Sequence, residues 1–182
     1  MSRDSTGKIL TVAFLLCVVC SILVSAAAVT LSDRQERNKA EEKKKNILQA
    51  AGLYVEAVSL DEQFSKIQTR IVDLQSGEFS SDFDVATFDS RVAAREPETR
   101  FQIPPGQDLP GIKAHSRYQE VYLVMDNDKL QQVILPVYGK GLWSTMYGFI
   151  ALGADLTTVN GFAFYEHGET PGLGGEIDNP IW

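Results

Sequence analysis

The chain has 182 residues, of which 44% are hydrophobic and 23% charged, and its net charge at pH 7 is -7. That apolar content supports a packed core and excludes extensive disorder, while the negative balance argues against nucleic acid as a partner, whose phosphates call for Lys and Arg. With about 30 residues set aside for an apolar N-terminal segment, about 150 remain, enough for one soluble domain.

Residues 9–32 contain no charged side chain. At ~1.5 Å rise per residue they form a helix of about 36 Å, long enough to cross a hydrocarbon core, so a single transmembrane helix is expected there, behind a short N-terminal segment 1–8. A cleavable signal peptide is the rival, because Ala26-Ala27-Ala28 offers small residues to a peptidase; the apolar run is longer than a usual signal core, which favours the anchor. Leu16 and Val19 precede the two cysteines, where a lipoprotein would carry small residues. Cys17 and Cys20 share a helix face inside this segment and read as small apolar residues rather than a redox or metal pair. No cysteine remains for the soluble domain, so packing must stabilise it. Arg3 and Lys8 precede the span, whereas Arg34, Arg37, Lys39, Lys43, Lys44 and Lys45 follow it, a bias that by itself keeps the domain cytoplasmic.

Residues 34–51 read as a second helix, within a linker 33–58, with Asp33 as N-cap and Gly52 as its stop. Lys43-Lys44-Lys45 suits either contact with anionic lipid or, more simply, a solvated helix face. Residues 60–69 suggest a short helix with Phe64 and Ile67 on one face, and Ile71, Val72 and Leu74 a short strand. Residues 76–117 hold Pro97, Pro104, Pro105 and Pro110 and little periodicity; this irregular excursion, with one helix around Ser90, is a candidate contact surface.

From Tyr118 the texture is β. Residues 118–125 and 130–135 flank Asp126-Asn127-Asp128-Lys129, which is hairpin chemistry. Residues 145–152 and 158–165 flank Gly153-Ala154-Asp155 as a second hairpin. The expected fold class is α+β: an N-terminal transmembrane helix, then one soluble domain with an antiparallel sheet packed by helices.

Antiparallel pairing brings Gly141-Leu142-Trp143-Ser144-Thr145 toward the run that leaves the last strand, Glu166-His167-Gly168-Glu169-Thr170-Pro171-Gly172-Leu173-Gly174-Gly175. Glycines let a backbone approach a flat ligand closely, although they also punctuate ordinary surface turns. In a flavin reading, Leu142, Trp143 and Leu173 supply an apolar wall, and the hydroxyls of Ser144, Thr145 and Thr170 with main-chain groups of residues 172–175, Gly172 and Gly174 among them, supply hydrogen bonds. Glu169 lies within the same candidate site. Trp143 also suits a core position. His167 beside Glu166 and Glu169 lacks a second imidazole or thiol, so no metal site is expected, and His115 and His167 assemble no nucleophile and base, so no catalytic residue is named.

These two blocks, with Asn46-Ile47-Leu48-Gln49-Ala50-Ala51-Gly52-Leu53 and the N-terminal apolar segment, resemble the C subunit of the bacterial Na+-translocating NADH:quinone reductase, across the whole chain. The same FMN-binding domain occurs in the G subunit of the Rnf electron-transport complex. The resemblance implies an electron-relay protein of the quinone reductase that carries one FMN and does not itself bind NADH or quinone. It also implies partners among the other membrane subunits and the lipid, and a single-pass protein of the bacterial inner membrane with its soluble domain on the periplasmic side. In that family FMN is esterified through its phosphate to the last threonine of an Asp-x-x-(Ser/Thr)-Gly-Ala-Thr motif downstream of the glycine loop. Gly153-Ala154-Asp155 lacks the hydroxyl, and no such motif is present. The chain therefore reads as an N-terminal part of a longer protein, with residues 59–182 an incomplete FMN-binding domain and the threonine expected beyond Trp182. Rival readings are an anchored, non-redox binding or assembly module and the Rnf protein.

Overall fold

The computed structural model describes residues 6–179. Arg3, used above for orientation, and the closing residues 180–182 lie outside them. The chain divides into two compact units, residues 1–41 and residues 42–182.

Helix α1 runs Thr6–Ala50, so the two helices expected at 9–32 and 34–51 are one. Between Gly7 and Gly52 the sequence has no glycine or proline to end it. Asp33 is consequently interior, and neighbouring Ser32 bonds back to the Val29 carbonyl at 2.9 Å, as hydroxyls do inside helices. In the first unit the apolar side chains of α1 are exposed, among them Leu10, Phe14, Leu16, Ile22 and Leu23. Gly52 does end the helix. It adopts φ 68°, its N–H reaches the Gln49 carbonyl at 3.0 Å, and the Leu53 N–H reaches that of Leu48 at 2.8 Å, a Schellman closure.

The second unit contains α2 (Leu60–Phe64), β1 (Ile67–Asp73), β2 (Phe79–Ser80), α3 (Ser90–Ala93), β3 (Arg100–Gln102), β4 (Ala114–Ser116), β5 (Tyr118–Asp126), β6 (Lys129–Lys140), β7 (Thr145–Gly153), β8 (Val159–Glu166) and a 3-10 helix (Gly174–Asp178). The six-stranded sheet has the order β2-β1-β5-β6-β7-β8 and is antiparallel throughout; β3 and β4 pair separately. This is the expected α+β class. The helix foreseen over 60–69 stops at Phe64, and Ile67 belongs to β1, where it and Ile71 alternate toward the core. The β-branched alternation Ile67-x-Thr69-x-Ile71 outweighs the helical spacing. Leu74 falls just past the strand and is exposed. The excursion 76–117 is more ordered than its prolines suggest, holding β2, α3, β3 and β4; the helix foreseen around Ser90 is α3, capped by Asp89, which accepts from the Arg91 and Val92 N–H groups.

Both foreseen hairpins form. Asp126 pairs with Lys129, and Asn127 and Asp128 take φ 46° and 62°, the two left-handed positions of a tight I′ turn. At the second turn the Asp155 carboxylate accepts from the Thr157 and Thr158 N–H groups at 3.0 and 2.9 Å and from the Thr158 hydroxyl at 2.6 Å; these bonds hold its pKa well below the usual carboxylate range. Strand β6 continues through Pro136 to Lys140 and pairs with β7 as far as Lys140 and Thr145, which makes residues 141–144 a third hairpin turn.

The core lies between one sheet face and the last turns of α1. Ile47, Leu48 and Ala50 pack on Ile67, Tyr122, Ile134, Phe149 and Ala151, with Phe149 stacked on Tyr165 at 4.8 Å and edge-on to Tyr122 at 5.9 Å. Burial pushes the Tyr165 hydroxyl up to about 12. Helix and strand touch backbone to backbone here, since a Cβ on Gly161 of β8 would overlap the Ala50 carbonyl. Lys43, Lys44 and Lys45 each have partners within this unit: Glu120 at 3.5 Å, Asp61 at 2.6 Å, and the Tyr54 ring at 5.2 Å. At the far end of β1, the Arg117 guanidinium beside Asp73, with Nε 3.0 and 3.1 Å from its two oxygens, holds that carboxyl down at about 2.

Candidate functional site

The turn 141–144 and the segment that leaves β8 meet because β7 and β8 pair up to Tyr147 and Glu166. They are latched in both directions. From the segment, Glu169 Oε1 accepts the main-chain N–H groups of Trp143 and Ser144 at 3.1 and 3.2 Å. From the turn, Ser144 Oγ accepts the Gly168 N–H at 2.6 Å. The turn closes on itself through Gly141 N–H to the Ser144 carbonyl at 2.7 Å. Glu169 is only 8% exposed, and the two oriented donors compensate its desolvation.

The glycines around it are explained by this latch. A Cβ on Gly141 would overlap the Glu169 carboxylate, one on Gly174 would lie 3.0 Å from both Glu169 Cβ and Oε2, and one on Gly168 would lie 3.2 Å from Ser144 Cβ. Part of the space that a bare backbone seemed to offer a ligand is thus filled from within. The N–H groups of Leu173 and Gly175 are also engaged, both with the Thr170 carbonyl, at 3.1 and 3.0 Å. Gly172, with φ 74° and open space where a Cβ would go, makes the bend.

The three apolar side chains of the candidate wall are exposed: Leu142 80%, Trp143 72% and Leu173 73%. Trp143 is therefore not a core aromatic. The turn that carries Leu142 and Trp143 is thus latched to the segment that carries Leu173. Thr145 is half-buried as the first residue of β7, and Thr170 is exposed. His167 Nδ1 accepts the Glu169 N–H at 3.1 Å.

One constellation had no signal in the sequence. Arg91 of α3 makes a bidentate pair with Glu166, at 2.6 and 3.0 Å, and its guanidinium lies 3.9 Å from the centre of the Tyr147 ring. Glu166 raises the Arg91 pKa above its usual range. The pair ties the excursion to the strand end from which the glycine segment departs, across 75 positions of sequence, too far for any local pattern to show.

Residues 141–181 match the family model of the FMN-binding domain. Over its whole length the chain is 48% identical to the Na(+)-translocating NADH-quinone reductase C subunit of Haemophilus ducreyi and 46% identical to that of Yersinia pestis, covering 70% of each. The crystal structure of Shewanella oneidensis NqrC superimposes with a TM-score of 0.74 at 37% identity, over 80% of this chain and 68% of that one. The crystal structure of the corresponding C subunit from Parabacteroides distasonis gives a TM-score of 0.61 at 25% identity, over 83% of this chain and 65% of that one. The identity over the full length and the structural match agree: the chain belongs to the NqrC family, the C subunits of Na(+)-translocating NADH-quinone reductases.

Proposed function

We infer that this chain is an FMN-carrying electron-transfer subunit of the Na+-translocating NADH-quinone reductase and works beside the other subunits of that complex. One observation carries the site assignment: the stretch matching the FMN-binding domain begins at the turn that exposes Leu142 and Trp143 and includes the loop that exposes Leu173. Large apolar side chains held in water by rigid loops fit the face of a flavin ring. Leu142, Trp143 and Leu173 would hold the ring, and the hydroxyls of Ser144, Thr145 and Thr170 and the main chain at Gly172 and Gly174 would serve its polar edge. The Ser144 oxygen accepts the Gly168 N–H, which leaves its proton to donate. Glu169 acts through the turn as a positioning residue. When bound, FMN supplies the redox chemistry; the protein supplies apolar contact, orientation and partial exclusion of water.

Trp143→Ala tests this assignment cleanly, because so exposed a side chain contributes little to folding. In the complex purified from membranes, the flavin bound to this protein is expected to fall several-fold or to shift in potential. Unchanged content together with unchanged potential removes Trp143 from the site.

The same reading makes α1 a single-pass anchor in the bacterial inner membrane, in contact with lipid, with the domain on the periplasmic side and no nucleic acid among its partners. Support for the anchor comes from the uncharged run 9–32 of α1, long enough to cross a hydrocarbon core, whose large apolar side chains are exposed. Membranes washed in alkaline carbonate are expected to retain the protein, and protease added to spheroplasts to cut the domain. Release by the wash counts against the anchor, and protection in intact spheroplasts against the periplasmic side.

A further inference from the structure

A cation-lined groove borders Thr145, the first residue of β7. It measures about 440 Å³ and is bordered by Arg91, Arg95, Arg100 and Lys113, with Tyr138 and Thr145 on its sheet wall. On a chain of net charge -7 such a gathering of positive side chains stands out. Arg91 is neutralised by its bidentate pair with Glu166 and forms a fixed wall. Among the described residues, no carboxylate lies within ion-pair distance of Arg95, Arg100 or Lys113.

The cations come from segments that are fixed in place. Arg100 opens β3, which pairs with β4 at Ser116. Lys113 has φ 64°, a left-handed conformation uncommon for a residue with a Cβ, and it is held there from both sides. Its N–H donates to Asp108 Oδ2 at 2.8 Å, its carbonyl accepts from the Ile103 N–H at 3.0 Å, and Asp108 Oδ1 accepts from the Ile112 N–H at 2.9 Å. Asp108 therefore commits both carboxylate oxygens to the backbone and makes no ion pair with the Lys113 ammonium. Like charges brought together on fixed backbone repel one another, and an anion between them removes that repulsion. Guanidinium forks and a flexible ammonium match the tetrahedral oxygens of phosphate, and the Thr145 and Tyr138 hydroxyls add neutral donors.

We propose that the groove between α3, the β3–β4 pair and the β6–β7 strands binds a phosphate group, presented as inorganic phosphate or a soluble phosphate monoester, or as a phospholipid headgroup. The groove shares Thr145 with the flavin assignment, but none of its charged residues belongs to the latched loops, so changes at Arg100 and Lys113 test it separately.

The full chain in dodecyl maltoside micelles, which contain no phosphate, is titrated with inorganic phosphate at constant ionic strength and followed by calorimetry. One saturable site is expected. Arg100→Gln combined with Lys113→Gln should weaken it at least tenfold, whereas Arg70→Gln, which removes a positive charge from an exposed position on β1, should change it less than twofold. Circular dichroism checks that the variants remain folded. Absence of saturable binding, or equal weakening by Arg70→Gln, overturns the proposal. Repeating the titration in phosphatidylglycerol nanodiscs assigns the source: binding that persists identifies a soluble anion, and binding that disappears identifies a lipid headgroup in the groove. In either case the phosphate site stands.

Discussion

Gly161→Val is expected to lower the unfolding free energy of the chain by about 3 kcal/mol, the upper part of the range for overpacked sites. The reason is geometric. A Cβ at this position overlaps the Ala50 carbonyl, which is backbone and cannot swing aside as a side-chain tip can. Relief requires β8 to leave β7 or the end of α1 to lift from the sheet, and that end carries Ile47, Leu48 and Ala50, all at or below 1% exposure. With a urea slope of about 2 kcal/mol/M, the midpoint should fall by about 1.5 M. Gly106→Ala is the control, since nothing lies within 4 Å of a Cβ there, and it should stay within about 0.5 kcal/mol of the parent. A Gly161→Val shift no larger than that of the control would show that the contact between α1 and β8 yields easily.

Glu169→Ala should act on the site more than on global stability. It deletes the acceptor of the Trp143 and Ser144 N–H groups and opens a gap between Gly141 and Gly174. Hydrogen bonds to a charged group contribute about 1.5–3 kcal/mol, so local opening of the turn should become about 10- to 100-fold more frequent. Amide exchange at Trp143, Ser144 and Gly168 reports this directly, and the flavin content of the purified complex should fall with it. Glu169→Gln keeps an oxygen acceptor without the charge and should fall between the two. If exchange at those amides is unchanged in Glu169→Ala, the latch does not hold the turn; if exchange rises but flavin is retained in full, the latch is structural and the flavin site lies elsewhere.

The sheet-forming half of the domain was legible because its signals are local. Asn127 and Asp128 accept left-handed backbone, Asp155 precedes two threonines whose N–H groups it can cap, and the apolar residues between such turns alternate with the period of a strand. The segment 60–73 misled because Phe64 and Ile67 satisfy a helical spacing while Ile67, Thr69 and Ile71 satisfy a strand spacing, and pairing with β5 settles the choice. Asp33 misled for the opposite reason: a capping residue ends nothing where no glycine or proline interrupts the helix on either side.

At the site, sequence alone brought the two glycine-rich blocks together, since antiparallel pairing of neighbouring strands requires it. It also supplied the long apolar helix, the Gly52 stop and the positions of the hairpin turns, each set by a few adjacent residues. Only the tertiary structure decided that Glu169 is buried against the Trp143 and Ser144 N–H groups, that Trp143 faces outward, that Gly161 gives way to Ala50, and that Arg91 reaches Glu166. Those contacts join residues from about 25 to more than 100 positions apart, and which of many possible partners meet is set by strand order and by the packing of α1 on one sheet face, neither of which a local pattern encodes.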